Sequence, residues 1–137
     1  MKISQIMTPT VVTIDPDASL LQAARLMKDH DFGWLPVVVD QKVLGVVSDR
    51  DIAVRTVSMG LNPQTFGVQQ AMSPNVAWCR LDDSVETAAS LMKDRSVRRL
   101  LVVDGQNRLI GVLSLGDLAS RVDGGNLGGA VLSSICS

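Results

Sequence analysis

The chain has 137 residues, 46% of them hydrophobic, and a formal net charge of −1, which provides apolar material for a core and no field that singles out nucleic acid or an anionic membrane as partner. With two Trp, two Phe, no Tyr and one small Arg cluster, it offers little on which nucleic-acid bases could stack. Cys79 and Cys136 stand in unrelated contexts without Cys-x-x-Cys or Cys/His spacing, which argues against a disulfide framework or a zinc site and makes a reducing cytoplasm the simplest compartment.

At the N-terminus a lone Lys2 runs quickly into Thr8, Pro9, Asp15 and Pro16, with no apolar stretch of signal-peptide length. No later segment approaches the roughly 20 apolar residues that span a bilayer. Thr10, Val11 and Val12 are expected in a first strand. Ser19 is placed as an N-cap with Gln22 at capping-box spacing, and Leu20, Ala23, Ala24 and Met27 form one apolar face of the helix it opens. Two β-branched runs follow, Leu35 to Val39 and Val43 to Val47, separated by Asp40, Gln41 and Lys42 in hairpin fashion. They are nearly continuous rather than alternating, which suits strands covered on both faces. Asp51 to Met59 reads as a second helix, and Gly60, Asn62, Pro63 and Gly67 as a linker.

The same order then recurs. Asn75, Val76 and Ala77 copy the first strand; Ser84, with Glu86 in the first turn, caps a helix whose apolar face is Val85, Ala88, Ala89 and Met92. Leu100 to Val103 and Leu109 to Leu113 copy the hairpin, and Asp117 to Val122 the second helix. From Met7 to Val38 the copy lies 65 positions on, and from Gly45 to Arg55 it lies 66 on, with polar punctuation preserved as well as apolar pattern. The expected divisions are residues 3–58 and 68–122 as the repeats, 59–67 as linker and 123–137 as a Gly-rich tail. A unit of about 50 residues buries too little of its chain to be stable alone, so the copies should pack face to face around a shared core. The fold class expected is α/β (α+β), two β-α-β-β-α repeats in one compact module.

The most chemical feature is Gly-x-x-Ser-x-x-Asp, present as Gly45, Ser48, Asp51 and as Gly111, Ser114, Asp117. It falls where a strand becomes a helix, and a hydroxyl and a carboxylate one turn apart there could hold a phosphate and a ribose diol. A Ser with an acid three residues later is also a near capping box, which needs no ligand. Arg98 and Arg99, with Arg95 nearby, could neutralise a polyphosphate or form a solvated surface cluster. Other candidates carry less. His30 reads as a basic helix end whose copy is Arg95, Cys79 as a buried structural thiol, and the methionines as core or contact filler. Without an activated nucleophile, a metal cluster or a Gly-rich loop with Lys, no catalytic residue is assigned, no cofactor is required, and the chain is not expected to be an enzyme.

The duplicated Met-Thr-Pro or Met-Ser-Pro, the capped Met-ending helix, Leu-Pro-Val-Val, and Gly-Val-Val-Ser-Asp-Arg-Asp-Ile together resemble a tandem pair of CBS (cystathionine β-synthase) domains, a Bateman module. The resemblance covers about residues 3–122 and extends to standalone bacterial members. It implies two repeats related by a pseudo-twofold axis and packed sheet to sheet, with AMP, ATP, ADP, NAD or S-adenosylmethionine in clefts between the halves. Carried over, Asp51 and Asp117 would bind ribose hydroxyls and Ser48 and Ser114 phosphate or ribose oxygens. Thr10, Val11 and Val12, with Asn75, Val76 and Ala77, would frame adenine, and Trp34, Leu35 and Pro36, with Arg99, Leu100 and Leu101, would wall it. The copies differ at Trp34 against Arg99 and Arg50 against Gly116, so two homologous but unequal sites are expected.

The function this implies is a regulatory sensor signalling to a separate effector protein, with no nucleic-acid or membrane partner. The alternative is a structural or interaction module with no physiological nucleotide. The resemblance further implies a flat homodimer, for which Ile52, Val54, Val57, Met59, Leu118 and Val122 are candidate interface or core positions.

Overall fold

A computed structural model of the chain describes residues 2–9 and 12–121. Thr10, Val11, Val122 and the expected tail, including Cys136, lie outside the described residues. The elements are a 3-10 turn Ile3–Gln5, α1 Leu20–His30, β1 Trp34–Val39, β2 Lys42–Ser48, α2 Asp49–Arg55, a 3-10 turn Val57–Met59, α3 Val68–Ala71, β3 Trp78–Arg80, α4 Val85–Arg95, β4 Arg99–Val103, β5 Leu109–Ser114 and α5 Leu115–Arg121. This is an α+β fold with one sheet of order β1-β2 and another of order β3-β4-β5.

Local chemistry sets both long helices in the same way. The Ser19 hydroxyl accepts the Gln22 N–H at 3.1 Å while the Gln22 side chain accepts the Ser19 N–H at 2.8 Å; Ser84 accepts the Thr87 N–H at 3.1 Å. Each helix stops in a left-handed residue, Asp31 (φ 56°) and Ser96 (φ 53°), after which Phe32 and Val97 donate back to Met27 and Met92. The apolar faces read from sequence are the ones buried, with Leu20, Ala23, Val85, Ala88 and Met92 each at most 1% exposed.

The hairpins share register, Val37 opposite Gly45 and Val102 opposite Gly111, and each shifts register at the next pair. Their turns differ by the one inserted residue. In the first, Asp40 and Gln41 both have positive φ, the two-residue turn that matches strand twist. The second is longer: Asn107 donates to Asp104, Asp104 donates to Arg108, and Asn107 is left-handed. The parallel first strand lies later than expected: Asn75, Val76 and Ala77 precede it, β3 begins at Trp78 with Cys79 opposite Val102, and in the other copy Val12 precedes a single bridge from Ile14 to Val37. The second helices begin two residues earlier than expected, because Ser48 and Ser114 cap them. α2 also ends at Arg55 rather than Met59, Thr56 turning the chain (φ −124°, ψ −66°) into the short 3-10 turn.

The described residues form two compact units: one runs from Val12 to Val76, the other joins residues 2–9 to residues 77–121. The units therefore cut across the sequence repeats, because the leading segment of each repeat folds with the other. Thr8 pairs antiparallel with Val112 on β5, and Ser73 pairs antiparallel with Val46 on β2; Lys2 bridges to Ser84, and Gly67 to Ser19. Each leader is closed alike, Lys2 N–H donating to Gln5 Oε1 and Gly67 N–H to Gln70 Oε1, both at 2.8 Å. Each unit has its own apolar cluster. Ile3 and Ile6 join Met92, Leu100, Leu113 and Leu118 in one, while Val68 and Ala71 join Leu20, Leu35, Val37 and Val47 in the other. At about 1.5–3 kcal/mol for each large aliphatic side chain taken from water, the leaders are a substantial part of cores this small.

Of the positions left open between core and interface, Ile52 and Leu118 are core, at 9% and 0% exposure, whereas Val54, Val57 and Met59 are 52%, 64% and 68% exposed. The described residues contain no helix long and apolar enough to cross a membrane.

Candidate functional site

The Gly-x-x-Ser-x-x-Asp motifs lie at matching places in the two units, where β2 enters α2 and where β5 enters α5. In the first, Ser48 N–H donates to Asp51 Oδ2 at 2.9 Å and Asp51 N–H donates to Ser48 Oγ at 3.0 Å. In the second, Ser114 N–H donates to Asp117 Oδ2 and Asp117 N–H to Ser114 Oγ, both at 3.0 Å. Both pairs are thus reciprocal capping boxes, and each fixes the hydroxyl and carboxylate in one geometry. One carboxylate oxygen is committed to the cap. The other oxygen of Asp51, Oδ1, lies 3.8 Å from Arg55 Nε, a long contact to a side chain 53% exposed.

The glycines of the motif have a different task. A Cβ on Gly45 would stand 2.5 Å from the Ser73 carbonyl oxygen, and one on Gly111 would stand 2.7 Å from Met7 Sδ and 2.9 Å from the Thr8 oxygen. They let the leaders approach β2 and β5, so only the Ser and Asp of the motif are presented at the junctions.

Cross-strand pairing puts Trp34 opposite Ser48 and Arg99 opposite Ser114. The preceding residues meet the helix starts directly, Asp49 N–H donating to the Gly33 oxygen and Leu115 N–H to the Arg98 oxygen, each at 2.8 Å. The unit of residues 12–76 therefore gathers Trp34, Ser48, Arg50 and Asp51 at one junction, and the other unit gathers Arg99, Ser114 and Asp117. Gly33 and Asp49 also belong to the first junction and are not among the residues read from sequence. The signal was in the repeat, where the charged position switches from 49 in one copy to 98 in the other.

Of the remaining expected residues that are described, all but Asn75 are buried or half-buried. Leu35 and Leu100 are 0% exposed and Leu101 is 3% exposed, so their side chains belong to the cores. Pro36 is buried, and its carbonyl accepts the Ile14 N–H at 3.0 Å. Val12, Val76 and Ala77 are half-buried and Asn75 is exposed; the Ala77 carbonyl accepts the Leu101 N–H at 3.1 Å.

Groups with independent chemistry are held in structural roles. Cys79 is 1% exposed, and burial first, then the nearby Asp83 charge, pushes its thiol up to about 12. His30 closes α1 with its ring 5.9 Å from that of Phe32. Among the described residues there is no group of three His, Cys, Asp or Glu placed to hold a metal ion.

Comparison with known proteins gives a consistent answer. The family model described as CBS domain matches residues 3–56 and again 68–124. CBS domain-containing protein YhcV of Bacillus subtilis is 40% identical over 129 residues, covering 94% of this chain and 91% of that protein. Hypoxic response protein 1 of Mycobacterium tuberculosis is 30% identical over 118 residues, covering 85% and 82%. Among solved structures, hypoxic response protein I with two coordinated zinc ions has a TM-score of 0.79 at 27% identity, covering 89% of this chain and 99% of that one. CBSX2 in complex with AMP has a TM-score of 0.71 at 28% identity, covering 85% and 92%.

Proposed function

Because this chain belongs to the CBS domain family, we propose that it is a regulatory module that binds an adenosine-containing ligand at its duplicated strand-to-helix junctions and signals the occupancy to a separate protein. The observation that carries this reading is the repetition of one Ser–Asp geometry in both units, together with the AMP-bound state of the structurally similar CBSX2. In this reading Asp51 and Asp117 turn their second carboxylate oxygens to the ribose hydroxyls, and Ser48 and Ser114, held by the caps, meet phosphate or ribose oxygens. Caps formed before ligand arrives mean that little ordering entropy opposes binding. The candidates are AMP, ADP, ATP, NAD and S-adenosylmethionine, and the module acts in the cytoplasm without catalysis of its own.

A ligand alters the output only by its differential affinity for two arrangements of the protein, a coupling of typically about 1–3 kcal/mol. The exposed Val54, Val57 and Met59 are proposed as contacts of a homodimer through which that change is transmitted. The capping boxes themselves favour a second reading, an interaction module in which Ser48 and Ser114 only start helices. Calorimetry and thermal melting with each candidate separate the two. Heat and a raised melting temperature with at least one nucleotide support the sensor; neither response with any of them supports the interaction module.

A further inference from the structure

The duplicated Met-Thr-Pro and Met-Ser-Pro have no part in the proposed ligand site, yet their methionines occupy one geometry in both units. Met7 directly precedes Thr8, which exchanges backbone bonds with Val112, and Met72 directly precedes Ser73, which exchanges them with Val46. Each thioether lies at the same point as the carbonyl of the next residue. A Cβ built on Gly111 would stand 2.7 Å from Met7 Sδ and 2.9 Å from the Thr8 oxygen; one built on Gly45 would stand 3.1 Å from Met72 Sδ and 2.5 Å from the Ser73 oxygen. Those two oxygens accept the Val112 N–H at 3.0 Å and the Val46 N–H at 2.9 Å. The sulfur therefore packs beside the bonds that hold each leader to its strand. The other described methionines are placed differently, Met27 and Met92 buried at 7% and 0% exposure and Met59 68% exposed. Met7 and Met72 are half-buried, open to a small solute yet packed against a core.

We propose that Met7 and Met72 are oxidation sites that latch the leaders: conversion of either thioether to its sulfoxide by a peroxide releases that leader from the strand it edges. The step moves two electrons. The thioether sulfur attacks one peroxide oxygen, the O–O bond breaks as the S–O bond forms, and the second oxygen leaves as hydroxide and takes up a proton to give water. Sulfur is oxidised and the peroxide reduced. The flexible apolar side chain has become a polar one, and its new oxygen, an acceptor, stands beside the Thr8 or Ser73 carbonyl, another acceptor. Neither can bond the other, so the sulfoxide turns to water and leaves its apolar seat. The loss falls on the bonds to Val112 and Val46, two residues ahead of Ser114 and Ser48, and frees one edge of the strand that feeds each capping box.

Hydrogen exchange measured before and after treatment with hydrogen peroxide, with sulfoxides mapped by mass spectrometry, tests the proposal. Dithiothreitol follows the peroxide in every sample, so that reversible thiol oxidation is cleared while sulfoxides persist. Sulfoxide at positions 7 and 72 speeds exchange at the amides of Thr8, Val46, Ser73 and Val112 by about five- to a hundredfold. Methionine sulfoxide reductases A and B together restore the slow rate. Met7→Leu/Met72→Leu, a volume-conserving change, keeps its protection through the same treatment although Met59 is oxidised. Should that variant fail to fold, Met7→Leu and Met72→Leu taken singly decide, each sparing only its own leader. Sulfoxide at both positions with unchanged exchange at the four amides overturns the proposal, and so does an equal loss of protection in wild type and the leucine variants. Met7 and Met72 resisting a peroxide dose that oxidises Met59 completely overturns it as well.

Discussion

Thr8 and Val112 exchange two backbone hydrogen bonds, Thr8 N–H to the Val112 oxygen at 2.9 Å and Val112 N–H to the Thr8 oxygen at 3.0 Å, although they lie in different sequence repeats. Ser73 and Val46 repeat the exchange at 2.8 and 2.9 Å. Each repeat is thus completed by the leader of the other, and the motif glycines make the approach possible.

Adding a methyl group at either glycine should therefore loosen a leader. Gly45→Ala meets a backbone oxygen at 2.5 Å, whereas the nearest atom at Gly111 is the movable Met7 sulfur at 2.7 Å. Overpacking of this kind costs about 1–3 kcal/mol, and Gly45→Ala should lie toward the upper end and Gly111→Ala toward the lower. Urea denaturation measures both; equal, negligible losses would show that the leaders are not tightly seated.

Thr56 is 0% exposed, and its Oγ1 has no hydrogen-bond partner among the described residues. An unpaired buried hydroxyl costs stability, and replacement by an apolar group of the same shape removes that cost. Thr56→Val should be neutral or stabilising by up to about 1 kcal/mol, while Thr56→Ser, which keeps the hydroxyl and loses the methyl, should destabilise. Melting temperatures in the reverse order would contradict the assignment.

Cys79 should be chemically silent. With its thiol pushed up to about 12 and its side chain 1% exposed, the thiolate needed for reaction is scarce at neutral pH. In a Cys136→Ser background, a disulfide reagent at pH 8 should label Cys79 only after denaturation. Rapid labelling of the native protein would contradict this.

In the second hairpin turn, Asp104 is held below the usual carboxylate range, first by the backbone N–H of Arg108, then by that of Gln106 and by the Arg108 side chain. A depressed folded value means that the carboxylate's contribution is present above the unfolded value and is lost as pH falls through the folded one, below about pH 4. Carboxyl carbon resonances should show Asp104 titrating below the usual carboxylate range, and Arg108→Ala should raise its midpoint. A midpoint in the ordinary range would contradict the turn geometry.

The helices and hairpins were legible because their determinants are local. Ser19 with Gln22 writes a helix start, and the polar residues between Val39 and Val43 write a turn. The leader exchange was not legible as an exchange, since burial of Ile3 and Ile6 says that they find a core without saying whose. A trace of the leader's extent was available, because Gln5 recurs as Gln70 and performs the same bond, so the repeat begins upstream of Met7. At the junctions, the Ser–Asp pairs were found with both of their readings, and the structure gives the capping half a geometry. Gly33 and Asp49 escaped because they meet through a backbone bond, Asp49 N–H to the Gly33 oxygen, between residues 16 positions apart, which spacing alone does not reveal.

Asp51 and Asp117 are each proposed to anchor an adenosine ligand. Calorimetry with AMP on wild type, Asp51→Ala, Asp117→Ala and the double variant, each checked for folding by its melting curve, tests it most directly. Each single substitution should abolish binding at one junction, and the double variant should bind no AMP. AMP binding with wild-type affinity and stoichiometry by the folded double variant would contradict it.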